Sequence, residues 1–130
     1  MTKREERELF FKAVFITEFT ESNEDPRDRV NNFLIGENME EYSQEFIPRI
    51  DRFLEALPGI DDIINDLAEG WKTSRIAKVD LALLRVAIFE MKSEGLAKSI
   101  AINEAVELAK EYGEDRSFAF INGILGKVKV

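Results

Sequence analysis

Apolar positions recur at three- and four-residue intervals along almost the whole chain, and no run alternates with period two. That pattern predicts helices throughout and no sheet. The first stripe is Leu9, Ala13, Val14 and Ile16, and Thr2 with Glu5 three residues on has the form of a capping box. Phe10, Phe11, Phe15 and Phe19 widen the stripe, so this helix is buried on more than one side or touches a partner. Ser22 to Pro26 reads as a turn, with Asp25 as N-cap and Pro26 as first residue of a second helix. Val30, Phe33 and Leu34 form its inner face, and Gly36 is its expected stop. A third helix begins near Met39 and carries Tyr42, Phe46, Ile50, Phe53, Leu54 and Leu57. Pro48 is expected to kink or split it, and Pro58-Gly59 to end it. A short fourth helix is then expected from Ile60 to Leu67.

The second half repeats the grammar with a more apolar vocabulary. A short helix is expected at Ser74 to Ala77. Val79, Leu83, Leu84, Ala87, Ile88 and Met91 mark a nearly all-apolar helix ending near Gly95, with the composition of a buried central element. Ile102, Ala105, Val106 and Ala109 stripe the next helix, which Gly113 terminates. Ser117 starts the last, with Phe120, Ile121, Ile124 and Leu125 inward. About seven helices on short connections predict an all-α bundle. It is read as a single domain over 1–130, with subdomains of about 1–70 and 71–130 and Trp71 as a core plug between them.

Composition narrows the chemistry. A chain of 130 residues with 45% apolar side chains can build one core. The absence of cysteine excludes disulfides and thiolate catalysis, and the absence of histidine removes the usual general base and metal ligand. Glu90, Glu104 and Glu107 lie on helices, but a di-metal bundle site needs histidines as well. No metal, cofactor or catalytic constellation is therefore expected. No apolar run approaches the roughly 20 residues that cross a bilayer, and Met1 to Phe11 lacks the form of a signal peptide. A cytoplasmic protein is expected.

The net charge of −8 argues against nucleic acid until it is mapped. Residues 18–69 hold four bases and fifteen acids, a net −11, whereas residues 1–12 carry +1 and residues 71–92 carry +3. Three basic sets follow. Lys3, Arg4 and Arg7 open the chain, and Arg4, Arg7 and Phe11 share a face at i, i+3 and i+7. Guanidinium groups beside an aromatic suit single-stranded RNA. Equally, the segment reads as a solvated helix start with Arg4–Glu8 and Glu8–Lys12 pairs. Lys72, Arg75, Lys78 and Arg85 form the second set. Arg75 and Lys78 suit the rim of an RNA surface, while Arg85, in an apolar helix, needs a partner such as Asp80 or Glu90. The third set is Arg116 and Ser117 at a helix start, where backbone N–H groups and the dipole favour phosphate. Against this, Phe120 reads as core, Ser117 as a cap, Gly123 as a close-packing site and Asn122 as a structural hydrogen-bonder.

The segments INEAVELAKEYG (Ile102 to Gly113) and FINGIL (Phe120 to Leu125) resemble the signature region of the NusB family of bacterial transcription antitermination factors. Trp71, Arg75-Ile76, Val79-Asp80 and Leu84 to Glu90 extend the resemblance over roughly residues 71 to 127. It implies a non-enzymatic RNA-binding factor that takes boxA-type single-stranded RNA together with ribosomal protein NusE. The assembly would work with RNA polymerase and other Nus factors, notably in ribosomal RNA operons. The resemblance assigns RNA contact to the N-terminal basic helix, here interrupted by Glu5, Glu6 and Glu8, and base stacking to Phe120. It sets Glu90 beside the NusE-binding surface, and Gly126 stands where the family usually has Asp. Competing readings are a protein-binding adaptor, a homodimer that hides the RNA surface, and the helical domain of a ribosomal RNA methyltransferase.

Overall fold

A computed structural model describes residues 1–69 and 72–130; the Trp71 plug lies outside the described residues. Among them there are six α-helices and no strand. Helix α1 is Lys3–Thr17, α2 Pro26–Gly36, α3 Ser43–Leu67, α4 Lys78–Lys92, α5 Lys98–Tyr112 and α6 Ser117–Gly126. Short 3-10 turns, Glu40–Tyr42 and Thr73–Arg75, precede α3 and α4. The all-α expectation holds.

The helix ends follow their local chemistry. The Thr2 Oγ1 accepts the Glu5 N–H and the Glu5 carboxylate accepts the Thr2 N–H, both at 3.1 Å, completing the capping box. Asp25 accepts the Arg27 N–H at 2.9 Å, with Pro26 behind it in the first helical turn. Each such cap contributes about 0.5–2 kcal/mol. At the end of α2 the left-handed residue is Asn38, at φ 58°, rather than Gly36. The Asn38 and Met39 N–H groups return to the Ile35 and Leu34 carbonyls, which satisfies the frayed end.

Helix α3 corrects the expectation of a break. It runs unbroken for 25 residues through Pro48, Pro58 and Gly59. Phe46, Ile50, Phe53, Ile60 and Ile64 are all buried, at intervals that keep one stripe continuous across both prolines. Pro48, Pro58 and Gly59 are exposed. The carbonyls deprived of a donor therefore lie toward the solvent side, where water can serve them, and packing of the stripe overrides the local propensity.

The chain divides into two compact units, Met1–Glu55 and Ala56–Val130. The division falls inside α3 rather than near residue 70. In the first unit Phe10 is fully buried. It meets Phe53 edge-on at 6.1 Å and Phe46 at 6.4 Å, with the Arg49 guanidinium 3.9 Å over its ring. Such pairs add about 0.5–1.5 kcal/mol beyond area burial. In the second unit α4 is buried from Asp80 to Met91 and packs with α5 and α6, which also pack on each other. Lys98 Nζ donates to the Gly126 and Val128 carbonyls at 2.8 and 2.7 Å, tying the start of α5 to the end of α6.

Candidate nucleic-acid interface

In the first unit the basic residues are sorted by the helix. At about 100° per residue, Lys3, Arg4 and Arg7 fall within roughly 100° of arc and Glu5, Glu8 and Lys12 within a separate arc of roughly 60°. Glu6 stands about 60° from Lys3, beside the basic arc, and the other two acids of α1 are engaged locally. Glu5 closes the capping box, whose hydrogen bonds hold its carboxyl below the ordinary range, and Glu8 pairs with Lys12 at 3.4 Å. A cleft of about 250 Å³, lined by Met1, Glu5, Glu8, Leu9, Lys12, Glu37 and Met39, collects three acids on that side. Lys3 and Arg4 are exposed and Arg7 is half-buried.

Phe11 is a correction. It is only 3% exposed, so it offers no face to a base. It shares the inner side of α1 with Phe10 and Val14 and begins a ladder of rings. Phe11 lies 6.4 Å from Phe15, and Phe15 lies 5.1 Å from Phe19. The ring that this ladder exposes is Phe19, at 47%. Phe19 lies two residues past the end of α1, beyond the buried stripe.

In the second unit the fold brings together residues far apart in sequence. Arg75, Ile76, Ala77, Asp80, Glu114, Arg116, Ser117 and Phe120 line a cleft of about 450 Å³. Arg75 and Arg116 are exposed, Phe120 is half-buried rather than core, and Ile76 forms an apolar floor. Two cations, a partly open ring and an apolar base are what a splayed nucleotide requires. Lys78 is exposed on the first turn of α4 but does not line the cleft.

Ser117 is a second correction. Only 4% of it is exposed, and its hydroxyl is committed inside the fold. Its Oγ accepts the Glu114 N–H at 2.9 Å. Phosphate would have to displace that interaction. Asp80 went unnoticed as a site residue, since an acid in the first turn of a helix reads as a routine dipole partner. It is 9% exposed, and its Oδ1 has no hydrogen-bond partner. Burial pushes its carboxyl above the ordinary aspartate value; the Ser117 hydroxyl partly opposes that, and the Glu114 charge adds to it.

Two further expectations change. Glu90 is 4% exposed, within the run of α4 that is buried on every face, so it presents no carboxylate to a partner. Arg85 meets Asp61 through Nε at 2.9 Å and Nη2 at 2.8 Å, a bidentate pair that keeps it in the core. Gly123 has open space where a Cβ would stand, so close packing does not explain it. Asn122 is exposed. Among the described residues no cluster of acids suits a metal ion, and no helix is long and apolar enough to cross a membrane.

The model of the NusB family matches residues 4–129. The chain belongs to the NusB family. The transcription antitermination protein NusB of Agathobacter rectalis is 41% identical over 130 residues, covering 98% of each chain. That of Lachnoclostridium phytofermentans is 42% identical, with the same coverage. These NusB relatives carry the name of a transcription factor, a non-enzymatic class. The crystal form titled as NusB from T. maritima superposes with a TM-score of 0.80 at 34% identity, over 98% of this chain and 89% of that one. A chain from the crystal structure of a plectonemic RNA supercoil, 20% identical with a TM-score of 0.77, shares the NusB fold.

Proposed function

We propose that this chain is a transcription antitermination factor that binds boxA-type single-stranded RNA jointly with ribosomal protein NusE. It would act in the cytoplasm within an assembly of RNA polymerase and other Nus factors, notably on ribosomal RNA operons. Membership of the family over nearly the whole chain supports the antitermination role. The observation that carries RNA binding is the cleft of the second unit, where Arg75 and Arg116 flank the half-buried ring of Phe120. Lys3, Arg4 and Arg7 on the basic arc of α1 supply further phosphate contacts, and Lys78 contributes charge near the cleft. The acidic residues of the first unit suit a basic protein partner.

Fluorescence anisotropy of a labelled boxA-type RNA, with and without NusE, tests this reading. The expected result is a preference over scrambled RNA, tightening when NusE is added, and affinity that falls steeply with salt. Linkage requires RNA to tighten NusE binding by the same factor. A folded protein that binds no RNA under either condition would overturn the reading in favour of an adaptor, and sedimentation would then show whether a homodimer hides the surface.

A further inference from the structure

The residues after α6 are tied down by lysines. Lys98 Nζ holds the Gly126 and Val128 carbonyls, and Lys92 Nζ, at the end of α4, donates to the Lys129 carbonyl at 2.8 Å. Two ammonium groups thus satisfy three carbonyls that no helix serves. The clasp buries Val128 and leaves Lys127 and Lys129 exposed.

Between this tail and the end of α3 lies a groove of about 190 Å³, wholly within the second unit. Ile63 and Leu67, one turn apart on α3 and half-buried, form its floor with Val128. Lys92, Lys127 and Lys129 stand around that floor against one acid, Asp66. In a chain of net charge −8 this is a local excess of positive charge over apolar surface. The cations keep donors to offer. An ammonium has three protons to give, and Lys92 spends one on the tail. Among the described residues the Lys129 ammonium has no hydrogen bond or ion pair. Lys127 pairs with Glu69 at 3.5 Å, but both are exposed, and a competing carboxylate can replace so weak a contact.

Two features select the occupant. No aromatic residue lines the groove, so a base would find no stacking surface, unlike the one Phe120 gives in the other cleft. The ammonium groups are exposed, so a lone anion would gain little from them. An apolar side chain laid on Ile63 and Leu67 supplies the missing affinity by burial, and acids beside it complement the lysines. The place is also separate. Helix α4 carries Lys92 at one end and Lys78 at the other, about 21 Å apart at 1.5 Å per residue. The cleft of Arg75, Asp80 and Arg116 lies at the Lys78 end.

The geometry points to this groove as a docking site for an acidic segment of a partner protein. An apolar side chain of that segment lies on Ile63, Leu67 and Val128, and the carboxylates beside it meet Lys92, Lys127 and Lys129. The inference does not depend on the RNA-binding reading above.

The test uses fluorescence anisotropy of a labelled peptide of about ten residues that alternates glutamate with leucine, the extended form that grooves of this kind accept. A second peptide alternates glutamate with serine and keeps the charge. The leucine peptide is expected to bind saturably and at least about fivefold more tightly than the serine peptide, since only it buries apolar surface. Lys127→Glu/Lys129→Glu, at two exposed positions, should weaken it at least about tenfold by placing like charges together. The same variant should leave boxA-type RNA affinity within about twofold, because the groove lies more than a Debye length from the cleft. Arg75→Glu/Arg116→Glu makes the same change of net charge at the other end of α4 and should leave peptide affinity within about twofold.

No saturable binding at millimolar peptide, or equal binding of the two peptides, would overturn the inference. So would equal losses in the two double variants, which would reduce the effect to net charge. RNA affinity lost in Lys127→Glu/Lys129→Glu would make the groove a stretch of RNA path instead. Self-association seen by sedimentation in the wild type and lost in that variant would make the occupant a second copy. If the wild type binds no RNA, the antitermination reading fails, and the peptide titrations still decide the groove.

Discussion

The N-terminal helix and the α4–α6 cleft offer the same kinds of side chain by opposite routes. In α1, bases and acids interleave within twelve residues, and the helix itself gathers Lys3, Arg4 and Arg7 on one arc, apart from Glu5 and Glu8. In the cleft, Arg75, Asp80, Arg116 and Phe120 come from three segments and meet through packing. The first arrangement needs only a helical period. The second needs a turn of fixed geometry, and a buried acid is part of it. A charge count misjudges both: it sees an interrupted basic run in α1 and an unremarkable acid in α4.

The largest expected effect breaks the α1 half of the comparison. Arg4→Glu/Arg7→Glu should weaken RNA binding on the order of 10- to 100-fold near physiological salt and flatten the salt dependence by about two phosphate contacts. Glu5→Gln/Glu8→Gln, changing acids on the other arc, should tighten binding by less than about threefold, because charges more than a Debye length of about 8 Å from the ligand are screened. Anisotropy over a salt series checks both. A large gain from the Gln variant would mean that the arcs do not matter.

Next comes the turn. Gly113→Ala should cost about 1–3 kcal/mol, since the new Cβ meets both a backbone carbonyl and the buried Ser117. Gly123→Ala, in open space on the exposed side of α6, should be neutral or stabilise by up to about 1 kcal/mol. Urea unfolding of the two variants separates them, and equal costs would remove the case for a close-packed turn. Arg75→Ala and Arg116→Ala should each weaken RNA binding by a smaller amount, about three- to tenfold, with unfolding midpoints near the wild type.

Much of the fold was legible in the residues, and the failures share a cause. Thr2 with Glu5 and Asp25 with Pro26 act through neighbours in sequence, so their caps could be read directly. Pro48 and Pro58 argued for breaks because local propensity was weighed against no knowledge of packing; the buried stripe from Phe46 to Ile64 decides otherwise. Arg4, Arg7, Arg75, Arg116 and Phe120 were singled out by charge and resemblance, and the test of them is RNA binding. Phe11 and Glu90 were misplaced because period alone does not say how far round a helix burial extends. Asp80 and Ser117 were not legible as neighbours because the cleft that both line draws on α4 and α6.

The smallest expected effect probes the buried carboxylate of Asp80. Asp80 has its carboxyl raised above the ordinary value of 3.8, chiefly by burial, with Glu114 adding to the shift and Ser117 opposing it. The folded state therefore holds this proton to higher pH than the unfolded chain does. Between the unfolded and folded values the folded state binds more protons, so the contribution of Asp80 to stability falls as pH rises through that window. At neutral pH the ionised group is a net cost, eased but not cancelled by its place in the first turn of α4. Arg75 and Arg116 line the same cleft but are exposed, which limits their compensation through solvent screening. Asp80→Asn should accordingly match the wild type most closely below pH 3.8 and gain on it as pH rises, levelling off above the folded value. Denaturation midpoints of the two proteins from pH 3 to pH 7 read the difference directly. An advantage that shrinks with rising pH would mean that the carboxylate is stabilised where it stands.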